Sequence, residues 1–375
     1  MNFKFTENQS SIVALAKKFN QSELEPIATK IDSSGKLPKD IIVKMAKVGL
    51  LGMCAPESYG GAQAGTFVSA LACEQLAFSG TGAWWLVGFC NSITDCIAQF
   101  GNEFLKEKYI RRTCEGRVYP SFQFTEEETG SDPNAFITKA IPNGDVYIIN
   151  GKKRFSTFGA RNGYALVFAK DDAKLCSVFI VNKKCEGYVV LKKWDLMGSG
   201  GIEAVDIEYR DICINNTNLL GSKGKGLDVL RYWIAIEKIQ QCAACVGIAQ
   251  AAYEEAVRYT KSRKMKGTPL SHLQGIRWLL ADMYAKIEAA RLLTYKAANL
   301  KDRAVADWEV QAAASKLFVV PTTQDIVLSA KRIHGSYAYT KGAKIERLYR
   351  AIAGADGIAT SLELNKSIVS SYLLS

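Results

Sequence analysis

Val146-Tyr-Ile-Ile-Asn-Gly-Lys-Lys-Arg-Phe-Ser-Thr157, followed by Tyr164-Ala-Leu-Val-Phe168 and Val178-Phe-Ile-Val181, decides the fold. Short β-branched and aromatic runs read as strands, and Asn143-Gly144 and Asn150-Gly151 read as turn signals. Outward in both directions the texture becomes helical. From Glu7 to about Arg117 apolar residues recur at three and four, as in Ile41, Met45, Val48 and Leu51. Beyond Gly221-Ser-Lys-Gly-Lys-Gly226, which lacks the spacing of a phosphate loop and reads as a flexible helix entry, helices are expected near 227–262, 270–299, 305–330 and 344–374. The order α, β, α predicts an α+β multidomain chain with an all-α domain over 1–117, a compact β domain over 118–222 and a helical domain over 223–375.

Composition narrows the class. The 375 residues are 48% hydrophobic and 23% charged, which excludes global disorder. Apolar runs such as 83–90 fall short of the roughly 20 residues that span a bilayer. The start MNFKFTENQS has no apolar signal region, and ten cysteines without regular spacing suit a reducing compartment, so a cytoplasmic protein is expected. Cys242 and Cys245 have small and apolar neighbours in a chain with two histidines, so they read as core packing and no metal site is expected. Residues 223–375 carry 23 Lys+Arg against 13 Asp+Glu, while the rest is nearly balanced at 25 against 24. Such a surface attracts phosphates or an acidic protein. Nucleic acid is not expected, because the basic residues are spread over several helices.

Two motifs carry a resemblance. Phe124-Thr-Glu-Glu-Glu-Thr-Gly-Ser-Asp132 and Asn150-Gly-Lys-Lys-Arg-Phe-Ser-Thr157 resemble the flavin-contacting strands of acyl-CoA dehydrogenases. Pro56-Glu-Ser-Tyr-Gly-Gly61, Val246-Gly-Ile-Ala-Gln-Ala251, Arg263-Lys264, Gln274 with Leu280-Ala-Asp-Met283, and Ile345-Glu-Arg-Leu-Tyr-Arg350 match the same family in the same order. The resemblance implies an N-terminal helical domain, a middle β-barrel-like domain and a C-terminal four-helix bundle, with FAD between the last two.

It also implies cofactor contacts. Phe122 and Phe124 flank a strand edge, and Thr125 and Ser131 offer hydroxyls beside a turn containing Gly130, suited to flavin carbonyls and pyrophosphate. Phe155 stands where the family usually has a Trp against the flavin, and Thr157 where a hydroxyl reaches flavin N5. Arg263 and Gln274 match residues that reach the FAD of a neighbouring subunit, which implies a homodimer or homotetramer. Lys266 replaces a usual Phe there. In Arg332-Ile-His-Gly-Ser336, Arg332 replaces a usual Gln and suits a phosphate; Gly335 and Ser361 complete the set.

The usual catalytic carboxylate is missing, since the register from Arg350 puts Ala359-Thr360-Ser361 where most members have Glu-Gly-Thr. A minority carries its base on the first long helix of the bundle, and that register falls on Glu237. The residues alone raise the same suspicion. Glu237 shares a helical stripe with Leu230, Trp233, Ile234, Gln241, Ala244, Cys245 and Ile248, with no Lys or Arg three or four positions away. Desolvation should raise its pKa toward neutrality, as a general base requires.

The implied activity is an FAD-dependent dehydrogenation of an acyl thioester. Hydride leaves the β-carbon while a carboxylate takes the α-proton, and Ala359 retains the backbone N–H that the family aims at the thioester oxygen. The basic C-terminal region and relocated base look like members that act on aminoacyl or hydroxyacyl groups tethered to an acyl carrier protein in polyketide and nonribosomal peptide clusters, such as the aminomalonyl-forming type of the colibactin pathway. A short- or medium-chain acyl-CoA dehydrogenase, a DNA-binding relative and a non-catalytic flavoprotein are the alternatives, and the electron acceptor is left open.

Overall fold

The structure, a computed structural model, describes residues 4–375. Six α-helices come first: α1 (Glu7–Phe19), α2 (Ala28–Ser34), α3 (Lys39–Lys47), α4 (Gly65–Leu76), α5 (Ala83–Phe100) and α6 (Glu103–Cys114). Thr6 and Gln9 start α1 with a reciprocal capping box. The N-terminus of α4 has no side-chain cap of its own, and the Asp302 carboxylate accepts from the N–H groups of Thr66 and Phe67 at 2.8 Å each. A residue late in the chain thereby completes an early helix.

Eight strands follow: β1 (Tyr119–Gln123), β2 (Lys139–Asn143), β3 (Val146–Thr157), β4 (Gly163–Lys170), β5 (Cys176–Asn182), β6 (Tyr188–Lys193), β7 (Ala204–Asn215) and β8 (Leu219–Leu220). They form one sheet of order β6-β7-β3-β2-β4-β5-β8, with β1 pairing β4 in parallel. Tyr147 of β3 and Phe179 of β5 touch at 4.8 Å, although two strands separate them in the sheet. The sheet therefore wraps around its own core, as the barrel-like expectation required. Strand β4 alternates between two cores: Ala165, Val167 and Ala169 face inside the sheet, while Tyr164, Leu166 and Phe168 face the helices. Asn143-Gly144 is the β2–β3 turn, but Asn150-Gly151 is not a turn. Gly151 sits at a bulge inside β3 with φ 151°, where a Cβ would lie 2.8 Å from the backbone of Thr138.

The bundle comprises α7 (Gly226–Ser262), α8 (Gln274–Asp302), α9 (Trp308–His334), α10 (Lys344–Ala353) and α11 (Leu362–Leu374), with a small hairpin of β9 (Lys264–Met265) and β10 (Thr268–Pro269) before α8. The single helix expected over 344–374 is broken at 354–361, a turn containing Gly354 and Gly357. Helix α7 is the spine of the molecule. It approaches α4 so closely that a Cβ on Gly247 would lie 2.0 Å from the Glu74 carbonyl oxygen. Polar contacts fix the surrounding helices: Glu74 accepts from Arg291 at 3.0 Å and from the Tyr295 hydroxyl at 2.8 Å, while Asp95 receives Tyr232 and Lys301. Cys242 and Cys245 are free and buried in the core, with thiols pushed up by desolvation.

Candidate active site

Glu237 lies in the first half of α7 and is 5% exposed. No carboxylate–cation pair includes it among the described residues. Burial pushes its pKa up to about 7, opposed by one hydrogen bond that the Ser92 hydroxyl donates to Oε1 at 2.6 Å. Ser92 is on α5, and its Oγ accepts in turn from Trp233 Nε1 at 3.1 Å. The indole occupies an acceptor site of the serine, which leaves the serine proton to point at the carboxylate or at the Phe89 carbonyl, 3.2 Å away. The adjacent Lys238 is buried too, and burial chiefly holds its pKa down, with lesser influences from Lys316, Glu309 and Cys242. The site therefore presents a dry carboxylate poised between its two protonation states near neutral pH.

This arrangement makes a first prediction. Ser92→Ala removes the contact that favours the ionised form, so the kinetic pKa of Glu237 should rise above about 7. A hydrogen bond to a charged group contributes roughly 1.5–3 kcal/mol, or about one to two pH units. The rate of flavin reduction against pH reads this directly, and an acid limb that stays in place would show that Ser92 does not govern the carboxylate.

Trp233 also connects the carboxylate to the sheet. Its ring stacks on Phe122 at 3.6 Å and meets Phe89 edge-on at 5.5 Å. Phe122 is thus packed in the core, and Phe124 is half-buried against Phe136 and Phe168. Their rings are engaged with protein, which leaves backbone as the part that could touch a ligand. Thr125 and Thr157 are each fixed through their carbonyls. Ser121 Oγ donates to the Thr157 carbonyl at 2.7 Å and Arg154 N–H to the Thr125 carbonyl at 2.8 Å, while neither threonine hydroxyl has a protein partner. Gly130 and Ser131 are exposed in the adjoining turn, and space around Gly130 is open. Phe155 is 48% exposed with φ 52°, thrown outward where the β3–β7 register shifts, and packs on Trp194 at 4.8 Å. Two free hydroxyls, an open glycine turn, an exposed aromatic and the buried unpartnered Ser156 Oγ fit the carbonyl, ring and phosphate chemistry of FAD.

The remaining candidates lie elsewhere. Arg263 caps α7 and Gln274 begins α8, both exposed, and the Tyr259–His334 ring contact at 4.5 Å brings Arg332 and Gly335 to the same end of the bundle. At 1.5 Å per residue, Glu237 and Arg263 are roughly 39 Å apart along α7. These residues therefore form a second group of candidates, remote from the Glu237 carboxylate. Ser361 caps α11, its Oγ accepting from Leu364 N–H at 3.2 Å. Ala359 is half-buried beside it with φ 50°, and Thr360 has φ 87°. Gln241, one turn beyond Glu237, donates to the Ala355 carbonyl at 2.8 Å, so this turn borders the α7 face.

Sequence reasoning passed over Ser92 and Trp233 as partners of Glu237, and over the buried pair Glu126–Lys153. Lys153 Nζ is 2.8 Å from Glu126 Oε1, and Glu126 also accepts from Thr138 N–H and Ile137 N–H. These bonds clamp the segment that carries Thr125, Gly130 and Ser131. Glu126 lies inside the motif quoted above, so its position was visible, but its partner was not. Among the described residues there is no cluster that could hold a metal ion, and no helix is long and apolar enough to cross a membrane.

Comparison with known proteins covers nearly the whole chain. The family models for the acyl-CoA dehydrogenase N-terminal, middle and C-terminal domains match residues 6–117, 121–212 and 224–369. A 3-(aryl)acrylate reductase of Clostridium sporogenes is 36% identical over 99% of each chain. The structure of butyryl-CoA dehydrogenase from Megasphaera elsdenii superposes with a TM-score of 0.96 at 31% identity, covering 100% of both chains. The prolyl acyl carrier protein oxidase AnaB superposes with a TM-score of 0.93 at 25% identity, over 99% of this chain and 100% of that one.

Proposed function

This chain belongs to the acyl-CoA dehydrogenase family, an oxidoreductase family, and on that premise we propose that it exchanges hydrogen across the α,β bond of an acyl thioester with Glu237 as the group that moves the α-proton. The carrying observation is the buried carboxylate of Glu237, held by Ser92 with no cation beside it. FAD is the family's cofactor and supplies the hydride-accepting centre when bound. Thr125, Gly130, Ser131, Phe155 and Thr157 would hold its ring and pyrophosphate. Glu237 takes the α-proton as the enolate forms, and the unpartnered N–H of Ala359 donates to the thioester oxygen. A carboxylate with a pKa of about 7 can also return the proton, so the same site would serve reduction of an α,β-unsaturated acyl thioester, a direction in keeping with likeness to the 3-(aryl)acrylate reductase of Clostridium sporogenes. Anaerobic titration with arylpropionyl-CoA and butyryl-CoA tests this: bleaching of the flavin by either supports the reading, and no bleaching by any acyl thioester overturns it.

Similarity to the butyryl-CoA enzyme supports CoA as the thioester carrier. A carrier-protein tether is the second reading, favoured by the 23 to 13 excess of basic residues over 223–375 and by likeness to the prolyl carrier-protein oxidase. An acidic carrier docking on that surface would associate more slowly as salt rises, because charges beyond a Debye length of about 8 Å are screened. The same acyl group on CoA and on a carrier protein is expected to differ in rate at low salt and converge at high salt. Equal turnover at every ionic strength removes the tether.

Assembly follows from the two groups of candidates. Arg263, Gln274, Arg332 and Gly335 gather at the end of α7 remote from Glu237, and on the family reading a second copy would bring them to the FAD. Trp278, Tyr284 and Leu292, each at least 50% exposed, line one side of α8 and suit burial in such an oligomer.

A further inference from the structure

Lys316 lies on α9 in the core of the bundle and is 0% exposed. Its ammonium donates to the carbonyl oxygen of Ile358 and, at 2.5 Å, to that of Thr360. No salt bridge includes it among the described residues. An ammonium buried without a carboxylate costs several kcal/mol, whereas a strap for a turn needs only neutral donors. The charge therefore calls for a further account.

The Ile358 carbonyl and the Ala359 N–H belong to one peptide unit, and no cis peptide is present. In a trans peptide the two point in opposite directions. A cation bonded to the oxygen draws electron density toward it, and the N–H on the far side becomes a stronger donor. That N–H has no acceptor among the described residues. The second bond, to Thr360, pins Ala359 and Thr360 at φ 50° and 87°, conformations that a non-glycine residue holds only when its surroundings impose them. Asn365 Nδ2 completes the clamp by donating to Thr360 Oγ1 at 2.8 Å and to the Ser361 carbonyl at 2.7 Å.

We propose that Lys316 is a positioning residue for the reacting carbonyl, its charge acting through the Ile358–Ala359 peptide to strengthen the hydrogen bond that Ala359 gives the thioester oxygen. The inference rests on the thioester reading above. It explains why a turn that has lost the family's carboxylate keeps a buried cation behind it: the side chain at 359 is dispensable, and the backbone N–H is the part retained.

The test uses the FAD-loaded protein and acetyl-CoA labelled at the thioester carbonyl, which has no β-carbon and cannot be oxidised. The infrared carbonyl stretch of the bound ligand should lie well below its value in water. Lys316→Met should return most of that shift and slow flavin reduction by an oxidisable acyl-CoA about 10- to 100-fold, less than the 10²–10³ of a direct oxyanion donor, while flavin content is retained. Lys316→Arg should restore both. Lys316→Gln, which keeps a donor without the charge, should resemble Met. A full shift in Met or Gln overturns the inference. If these variants do not fold, the parent protein decides. Lys316 is held down to about 8, chiefly by burial, and faces Lys238, Cys242 and Cys245 of α7 and Asp356 of the turn, with Glu309 beside Lys238. As pH rises through that value the ammonium loses its proton and the stretch should move back toward that in water. Lys238→Met, which touches no atom of the turn by hydrogen bond, should keep this titration but move it to higher pH, because a neighbouring positive charge is gone; a stretch that ignores pH overturns the inference. The outcomes separate the two ideas, because a parent protein that never shifts the carbonyl sinks the thioester reading and the inference together, whereas a shift indifferent to Lys316 sinks the inference alone.

Discussion

Glu237→Gln is expected to abolish flavin reduction by substrate while leaving folding and FAD content intact. Glutamine keeps the shape and can still accept from Ser92 Oγ, the 2.6 Å contact that orients the carboxylate. It cannot take a proton at neutral pH. General bases contribute about 10²–10⁴ in rate, and the position where most family members hold their carboxylate is Ala359, so no carboxylate stands at that position to replace it. Single-turnover anaerobic mixing should show a loss of at least 10². The residual rate of the variant should be the same at every pH, whereas the parent rate should climb as Glu237 ionises through about 7, so the loss grows with pH. The double change Glu237→Gln with Ala359→Glu sharpens the test: partial recovery would place both side chains over the same substrate carbon. A single variant that bleaches as fast as the parent would assign the proton to another group or to water.

How much of this was legible beforehand follows the range of the interactions involved. Glu237 could be found from sequence because its environment is written along its own helix, at positions three and four away. The break between α10 and α11 was marked locally by Gly354 and Gly357, yet periodicity alone carried one helix through it. Asn150-Gly151 had the composition of a turn, but tertiary pairing with β7 and the close approach of Thr138 made it a bulge within one strand. Ser92 and Lys316 left no signal, because each meets its partner across 145 or 42 positions of chain. The same holds for Phe122: the family resemblance implied a cofactor contact, and only the packing of α7 on β1 shows its ring stacked on Trp233.

Lys153→Met is expected to destabilise the β domain by about 3–5 kcal/mol, the usual consequence of stranding one half of a buried ion pair. Lys153 and Glu126 side chains are 0% and 6% exposed, so solvent does not screen the loss. The expectation has a pH signature. Desolvation pushes the Glu126 carboxyl up, but Lys153, Thr138 and the Ile137 N–H outweigh it and leave the pKa below the ordinary value. A carboxylate depressed in the folded state contributes stability at pH above its unfolded value, and that contribution disappears as pH falls through the folded one. The parent should therefore lose stability on acidification through the carboxylate range. Without Lys153 the balance reverts to desolvation, the Glu126 pKa rises, and acid should stabilise the variant relative to neutral pH. Lys153→Met with Glu126→Gln removes the stranded charge and should recover part of the loss. Because a three-part flavoprotein need not unfold in one step, the measurement is the temperature of flavin release at several pH values. Thr125, Gly130 and Ser131 hang from the same clamp, so release should come before loss of helical circular dichroism. Simultaneous loss of flavin and helix, or a parent-like release temperature in Lys153→Met, would mean that the pair does not hold the cofactor segment.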